Sequence, residues 1–233
     1  MIRSRSSPNF DDRPPGVHAD MLVLHYTGMT SGAAALARLS DPAAKVSAHY
    51  LVAEDGQIVG LVDEAKRAWH AGLSSWRGRT RLNDVSIGIE IVNPGHDWGL
   101  RAFPDAQIAG VIRLTHDILA RHPIPARRIL GHSDIAPLRK RDPGPLFPWA
   151  RLADAGVGLW PELAAASVGR ARPPLQEAQD LLRRWGYGIE ATGSLDAPTA
   201  AATAAFQTRF RPRRIDGVFD AECAALIQDL LAR

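Results

Sequence analysis

Val85-Ser86-Ile87-Gly88-Ile89-Glu90-Ile91-Val92 alternates with a period of two: Ile87, Ile89 and Ile91 fall on one face, and Gly88, Glu90 and Val92 on the other. The pattern predicts a strand with a buried apolar face and one carboxylate opposite it. Working outward, Met21-Leu22-Val23-Leu24 is an apolar run of strand length that stops at His25, and Arg128-Ile129-Leu130-Gly131 is another that delivers His132 to a loop rich in proline and charge. Asp55-Gly56 separates two β-rich stretches, 48–53 and 57–62, and predicts a hairpin. Residues 33–39 suit a helix, with Thr30 or Ser31 as N-cap and Asp41-Pro42 as terminator. After Pro104-Asp105, residues Ile108, Val111, Ile112, Ile118 and Leu119 recur at helical spacing until His122-Pro123. Strands and helices mixed in this order predict an α/β fold, a mixed central β-sheet flanked by helices.

Past Pro161 the apolar period disappears, so 161–173 reads as a linker rich in Ala, Ser, Gly, Arg and Pro. The expected organisation is an N-terminal extension over 1–17, a main domain over 18–160, the linker, and a small three-helix domain over 174–233. In that last segment Leu175, Ala178, Leu181, Leu182 and Trp185 make one amphipathic helix; Ala202, Ala205, Phe206 and Phe210 make a second; Leu226, Ile227 and Leu230 make a third. Gly193-Ser194-Leu195-Asp196-Ala197 recurs as Gly217-Val218-Phe219-Asp220-Ala221, each before a helix, with Asp196 and Asp220 as candidate N-caps. The second repeat carries Cys223 where the first carries Thr199.

The 233 residues, 45% hydrophobic and 23% charged, have the composition of an ordinary globular chain. Lys and Arg number 28 against 25 Asp and Glu, and from Arg172 to Arg233 eight Arg meet eight acids, so no basic stripe marks a nucleic-acid module. The one cysteine, Cys223, cannot form an internal disulfide. No run of about 18 apolar residues offers a transmembrane helix. The segment Met1 to Pro8 is basic but lacks an apolar signal core; this fits a cytoplasmic protein if that N-terminus is native, and a periplasmic or envelope protein if an export signal has been removed. A monomer is the expected state.

The chain has eight histidines, and a lone histidine is more often structural than a ligand. His25 and His132 gain weight because each follows a strand, and Asp142 lies ten residues after His132 in a proline-bounded loop. Two imidazoles and one carboxylate fill three positions of a zinc ion and leave the fourth open, as hydrolytic zinc sites require. No short metal motif links the three, so spacing alone leaves structural roles open.

The local strings sharpen the choice. Met21-Leu22-Val23-Leu24-His25-Tyr26-Thr27, Ser47-Ala48-His49-Tyr50, Ala68-Trp69-His70-Ala71-Gly72, Ser86-Ile87-Gly88-Ile89-Glu90, Gly131-His132-Ser133-Asp134-Ile135-Ala136-Pro137 and Arg139-Lys140-Arg141-Asp142-Pro143-Gly144 occur in that order. Together, over residues 18–160, they resemble the zinc-dependent N-acetylmuramoyl-L-alanine amidases, whose fold is shared with peptidoglycan recognition proteins and amidase-type phage lysozymes. The resemblance implies Zn2+ held by His25, His132 and Asp142, with Glu90 as the catalytic acid and base and Lys140 stabilising the oxyanion. The phage branch has a cysteine in place of Asp142 and a tyrosine where this chain has Ala48, which leaves proton transfer to Glu90. His49, Trp69, His70 and Asn83 are candidate substrate contacts, each with a plain structural alternative in a strand end, a turn or the core. Trp76 is a further aromatic that would stack on sugar or pack inside.

The last 60 or so residues, with Leu175-Gln176, Gly186-Tyr187, the repeated Gly-x-Leu/Phe-Asp and Phe206-Gln207, resemble the small three-helix peptidoglycan-binding domain. The implied substrate is peptidoglycan or a muropeptide, cut between N-acetylmuramic acid, ordinary or anhydro, and L-alanine. Two other readings share these residues: a non-catalytic peptidoglycan-binding protein, and a zinc peptidase acting within the stem peptide.

Overall fold

The alternating segment around Glu90 is a central strand, Ser86–Ile91, of a six-stranded mixed sheet in the computed structural model, which describes residues 2–162 and 171–233. In chain order the strands are β1 (Arg3–Ser4), β2 (Phe10–Asp12), β3 (Met21–Tyr26), β4 (Tyr50–Val52), β5 (Ile58–Gly60), β6 (Lys66–Ala68), β7 (Ser75–Trp76), β8 (Arg79–Thr80), β9 (Ser86–Ile91) and β10 (Ile129–Gly131). The α-helices are α1 (Gly32–Ser40), α2 (Gly95–Trp98), α3 (Asp105–Arg121), α4 (His132–Ile135), α5 (Trp149–Asp154), α6 (Leu175–Trp185), α7 (Ala197–Phe210) and α8 (Ala221–Ala232). The main sheet has the order β1-β5-β4-β9-β3-β10, with β4, β9, β3 and β10 mutually parallel and only β4–β5 antiparallel.

The pleat divides the side chains into two sets. Leu22, Leu24, Ile87, Ile89 and Ile91 pack in one cluster with Ile108, Val111, Leu114 and Ile118 of α3. The other face is shared. Leu51 and Val59 meet Ala35 and Leu39 of α1, while Met21, Val23 and Leu130 join a core with the three C-terminal helices. His25 and Glu90 are register partners on that second face, in the seam between the two coverings.

Local chemistry sets the ends of the helices. Ser31 caps α1, accepting from the Ala34 N–H at 3.1 Å, so of the two expected candidates the later one serves. Asp196 and Asp220 cap α7 and α8 by accepting from Thr199 and Cys223 N–H at 2.8 and 3.0 Å. The repeat goes further than its caps. Gln179 Oε1 accepts from Gly193 N–H at 2.8 Å and its Nε2 donates to Ser194 O at 2.9 Å; Gln207 makes the matching pair with Gly217 N–H at 2.9 Å and Val218 O at 3.0 Å.

Both ends of the chain pack onto the main domain. Residues 1–17 are built into the fold: β1 pairs with β5, β2 pairs with β6, and the Arg13 guanidinium donates to the carbonyls of Asn83, Asp84 and Ser86. Within the expected linker, 163–170 lie outside the described residues. The C-terminal helices nevertheless share a core with the main domain. Trp76, 1% exposed, packs edge-on to Trp185 and Tyr187, so it belongs to the core rather than to a sugar-stacking surface. Gly186 makes room for its indole, since a Cβ there would lie 2.4 Å from Trp76, and Arg77 N–H donates to Gly186 O at 2.8 Å. Among the described residues no helix is long and apolar enough to cross a membrane.

A polar cluster ties the end of α3 to the start of β4: Tyr50 Oη donates to Glu64 at 2.7 Å, and Arg121 donates two bonds to the same carboxylate at 2.8 and 3.0 Å. Burial opposes the charge, yet the bonds from Arg121, Tyr50 and His122 hold Glu64 at a pKa of about 2, below its ordinary 4.5. The ionised group therefore favours the folded state fully above pH 4.5, and this contribution fades as pH falls towards 2. Urea titrations of the protein and of Glu64→Gln should show a stability gap near neutrality that closes across that window; a gap independent of pH would refute it. Trp76→Ala should cost about 3–5 kcal/mol and lower the unfolding of both regions together, because the cavity lies in their common core. Loss of only the C-terminal helices' transition would show that the core is not cooperative.

Candidate active site

The three expected ligands converge. His25 Nδ1 lies 2.9 Å from His132 Nδ1 and 3.1 Å from Asp142 Oδ2, and His132 Nδ1 lies 3.0 Å from the same oxygen. All three residues are buried. Parallel pairing places the two imidazoles together: Gly131 is opposite Leu24, so His25 and His132 leave the same carboxyl edge of β3 and β10. Ser133 N–H donates to Asp142 O at 2.9 Å and brings the Asp142 loop back onto that edge. Gly131 permits the approach, because a Cβ there would meet Pro143 at 2.7 Å.

The surrounding bonds decide which nitrogens carry protons. Ser86 Oγ donates to Leu82 O at 2.6 Å, so it accepts from His70 Nε2 at 3.2 Å, which leaves His70 Nδ1 as an acceptor. His25 Nε2–H then donates to His70 Nδ1 at 3.0 Å, and His132 Nε2–H donates to Ala71 O at 3.2 Å. In the neutral imidazoles these bonds leave both Nδ1 atoms as bare lone pairs facing a carboxylate oxygen. Burial and the neighbouring His132 lower the His25 pKa to about 4, so it is neutral at pH 7. Three acceptors about 3 Å apart repel one another unless a cation sits among them, and tetrahedral zinc spaces its ligands by roughly 3.3 Å. The donor set therefore fits a metal ion.

Glu90 sits beside this group on β9, partly buried, with Oε2 buried and making no hydrogen bond. Burial, and next the Asp142 charge, push its carboxyl well above the ordinary range, against the pull of Lys140. Both groups line a cleft of about 370 Å³ whose other walls include Arg38 and Leu39 of α1, Trp69 and Arg139. A carboxyl held ready to carry a proton, next to a cation site and at the floor of an open cleft, is equipped for hydrolysis.

Comparison with known proteins agrees with this arrangement. A family model described as N-acetylmuramoyl-L-alanine amidase matches residues 13–145, and one described as "Putative peptidoglycan binding domain" matches 171–227. The chain belongs to the N-acetylmuramoyl-L-alanine amidase family. It is 42% identical over 233 residues to N-acetylmuramoyl-L-alanine amidase AmiD of Escherichia coli K12, covering 91% of this chain and 82% of that protein. With 1,6-anhydro-N-acetylmuramyl-L-alanine amidase AmpD of Citrobacter freundii it shares 41% over 162 residues, 62% of this chain and 84% of the relative. Its structure resembles that of E. coli AmiD in complex with anhydro-N-acetylmuramic acid-L-Ala-D-gamma-Glu-L-Lys, with a TM-score of 0.83 and 37% identity over 96% of this chain and 97% of that one.

Within this amidase fold the remaining candidates separate. His49 is fully buried outside the cleft, its Nδ1 accepting from Gly88 N–H at 3.0 Å and its Nε2 facing Lys66 O and Arg13, and it braces strands. His70 touches the cleft, and both its nitrogens are engaged, by His25 and Ser86, so it orients the His25 ring. Trp69 lines the cleft, its indole N–H donating to Asp11 at 2.7 Å. Asn83 lies outside that cleft; its Oδ1 accepts from His70 and Ala71 N–H at 3.1 and 2.8 Å and so holds the segment that bonds both histidine ligands. Sequence reasoning assigned no role to Ser86 or the Ala71 carbonyl. Gly88 was the available signal: a Cβ there would lie 2.5 Å from the His70 ring, and a glycine inside a strand often marks such a close approach.

His70→Ala should weaken metal binding by about 10–100-fold through loss of the His25 partner, while His132→Ala should abolish stoichiometric binding. Competition against a chromophoric chelator measures both. Unchanged affinity in His70→Ala would remove its orienting role.

Proposed function

We propose that the protein is a zinc-dependent hydrolase of the amide bond between N-acetylmuramic acid, including its anhydro form, and the L-alanine of the stem peptide. The reading is carried by the three unprotonated ligand atoms of His25, His132 and Asp142, which meet beside a protonatable Glu90 in one cleft. AmiD in complex with an anhydromuramyl peptide supports this substrate class.

His25 Nδ1, His132 Nδ1 and Asp142 Oδ2, which line the cleft, would hold the ion. When bound, zinc polarises the scissile carbonyl and makes water acidic enough to ionise near pH ~7. Glu90 takes a proton from the attacking water at its uncommitted Oε2 and returns it to the departing L-alanine amine. The Lys140 ammonium, on the cleft wall, stabilises the negative charge that develops on the carbonyl oxygen. Trp69, with Arg38 and Arg139, borders the space in which the muramoyl peptide would lie. Residues 174–233 would contribute wall binding, raising the concentration of enzyme along the polymer.

Product analysis by mass spectrometry of a defined anhydromuramyl peptide should yield the free L-alanyl peptide, suppressed by a chelator and restored by zinc. Glu90→Gln should keep one zinc per chain and lose about 10²–10⁴-fold in kcat. Cleavage inside the stem peptide, or near-normal kcat in Glu90→Gln, would overturn the assignment.

A further inference from the structure

Asp134 stands two residues after the ligand His132, in the single helical turn α4, and is 1% exposed. Its Oδ2 accepts from the Gly131 N–H at 2.8 Å, which closes that turn at the residue before His132. The other donors to this carboxylate come from the far end of the chain. Arg209 Nη1 of α7 donates to Oδ2 at 2.7 Å, and the Tyr187 hydroxyl donates to Oδ1 at 3.0 Å. Arg209 is 3% exposed; its Nη2 donates to Ile129 O at 2.9 Å, and its guanidinium lies 4.1 Å over the ring of Trp149. That indole in turn packs against Gly131, approaching the place of a Cβ there to 3.3 Å.

From this juxtaposition we propose that Arg209 and Tyr187 are positioning residues for the metal site: the C-terminal helices hold His132 at its ligating angle through Asp134. The inference rests on the reading of His25, His132 and Asp142 as zinc ligands. One guanidinium grips both β10, through the Ile129 carbonyl, and the turn that follows it, through Asp134, so His132 lies between two clamped points. Removing that cation leaves a buried anion without its partner, and the turn must move to find water or another donor. A shift of a few tenths of an ångström at His132 is felt by the metal because ligand orientation depends on such outer partners.

The test measures zinc affinity of the full chain, stripped of metal, by competition with a chromophoric chelator. Arg209→Met should weaken binding about 10–100-fold, Arg209→Lys should recover part of the loss, and Tyr187→Phe should weaken it several-fold. Tyr187→Phe removes a single hydroxyl and keeps the packing, so it carries the test if Arg209→Met does not fold. Arg211→Met serves as control: this buried arginine pairs with Asp220 and Glu222 inside the same helical region, so its loss strains that region without touching Asp134. Unchanged affinity in Arg209→Met and Tyr187→Phe, or equal weakening by Arg211→Met, overturns the proposal. Absence of zinc binding by the unmodified chain overturns the metal reading itself, and this inference with it.

Discussion

Three lone pairs pointed at one another are the constraint around which the rest of the molecule is arranged. His25 Nδ1, His132 Nδ1 and Asp142 Oδ2 lie within 3.1 Å of each other, an arrangement that is costly without a cation. It persists because each partner is held from behind. The parallel strands β3 and β10 bring both imidazoles to one carboxyl edge, where open α/β sheets commonly place their sites. The His25–His70–Ser86–Leu82 chain and the His132–Ala71 bond then fix both tautomers. The cost of assembling the site is spread over hydrogen bonds that exist before any ion arrives.

Much of this frame was legible in the residues. Period-two alternation placed β9, apolar runs ending at His25 and His132 placed β3 and β10, and a period near 3.6 with capping aspartates placed the C-terminal helices. What stayed hidden depends on contacts between distant segments. His49 and His70 read alike in sequence, each in a short string that suited a substrate contact or a strand end. One is spent bracing strands through Gly88 N–H, and the other stands over Gly88 to orient a ligand. The first 17 residues join the sheets through backbone bonds in two- and three-residue strands, too short to carry an apolar period.

The C-terminal region illustrates a second limit. Its charges balance, eight against eight, so no charged stripe marks it in the sequence. Net charge counts surface and interior alike, and so misses a buried pair such as Arg209 with Asp134. The aromatic side of the contact was equally ambiguous, because Trp76 would suit a sugar-stacking surface as well as a core. Gly186 resolves the choice: with φ +152 and no side chain it admits the Trp76 indole at a distance no other residue would allow.

One face of the sheet is thus divided between two coverings, and the cleft is the seam they leave. On one side α1 contributes Ala35, Arg38 and Leu39; on the other, the segment from His132 to Asp142 is backed by the C-terminal helices. A wall-binding domain joined only by a linker would raise local concentration and leave the catalytic face free to turn. Here the helices also cover Met21, Val23 and Leu130, so removing them would strip apolar cover from the strands that carry both histidine ligands. The C-terminal helices and the edge that carries His25 and His132 thus share one core, and their relative orientation is set by packing rather than by chain length.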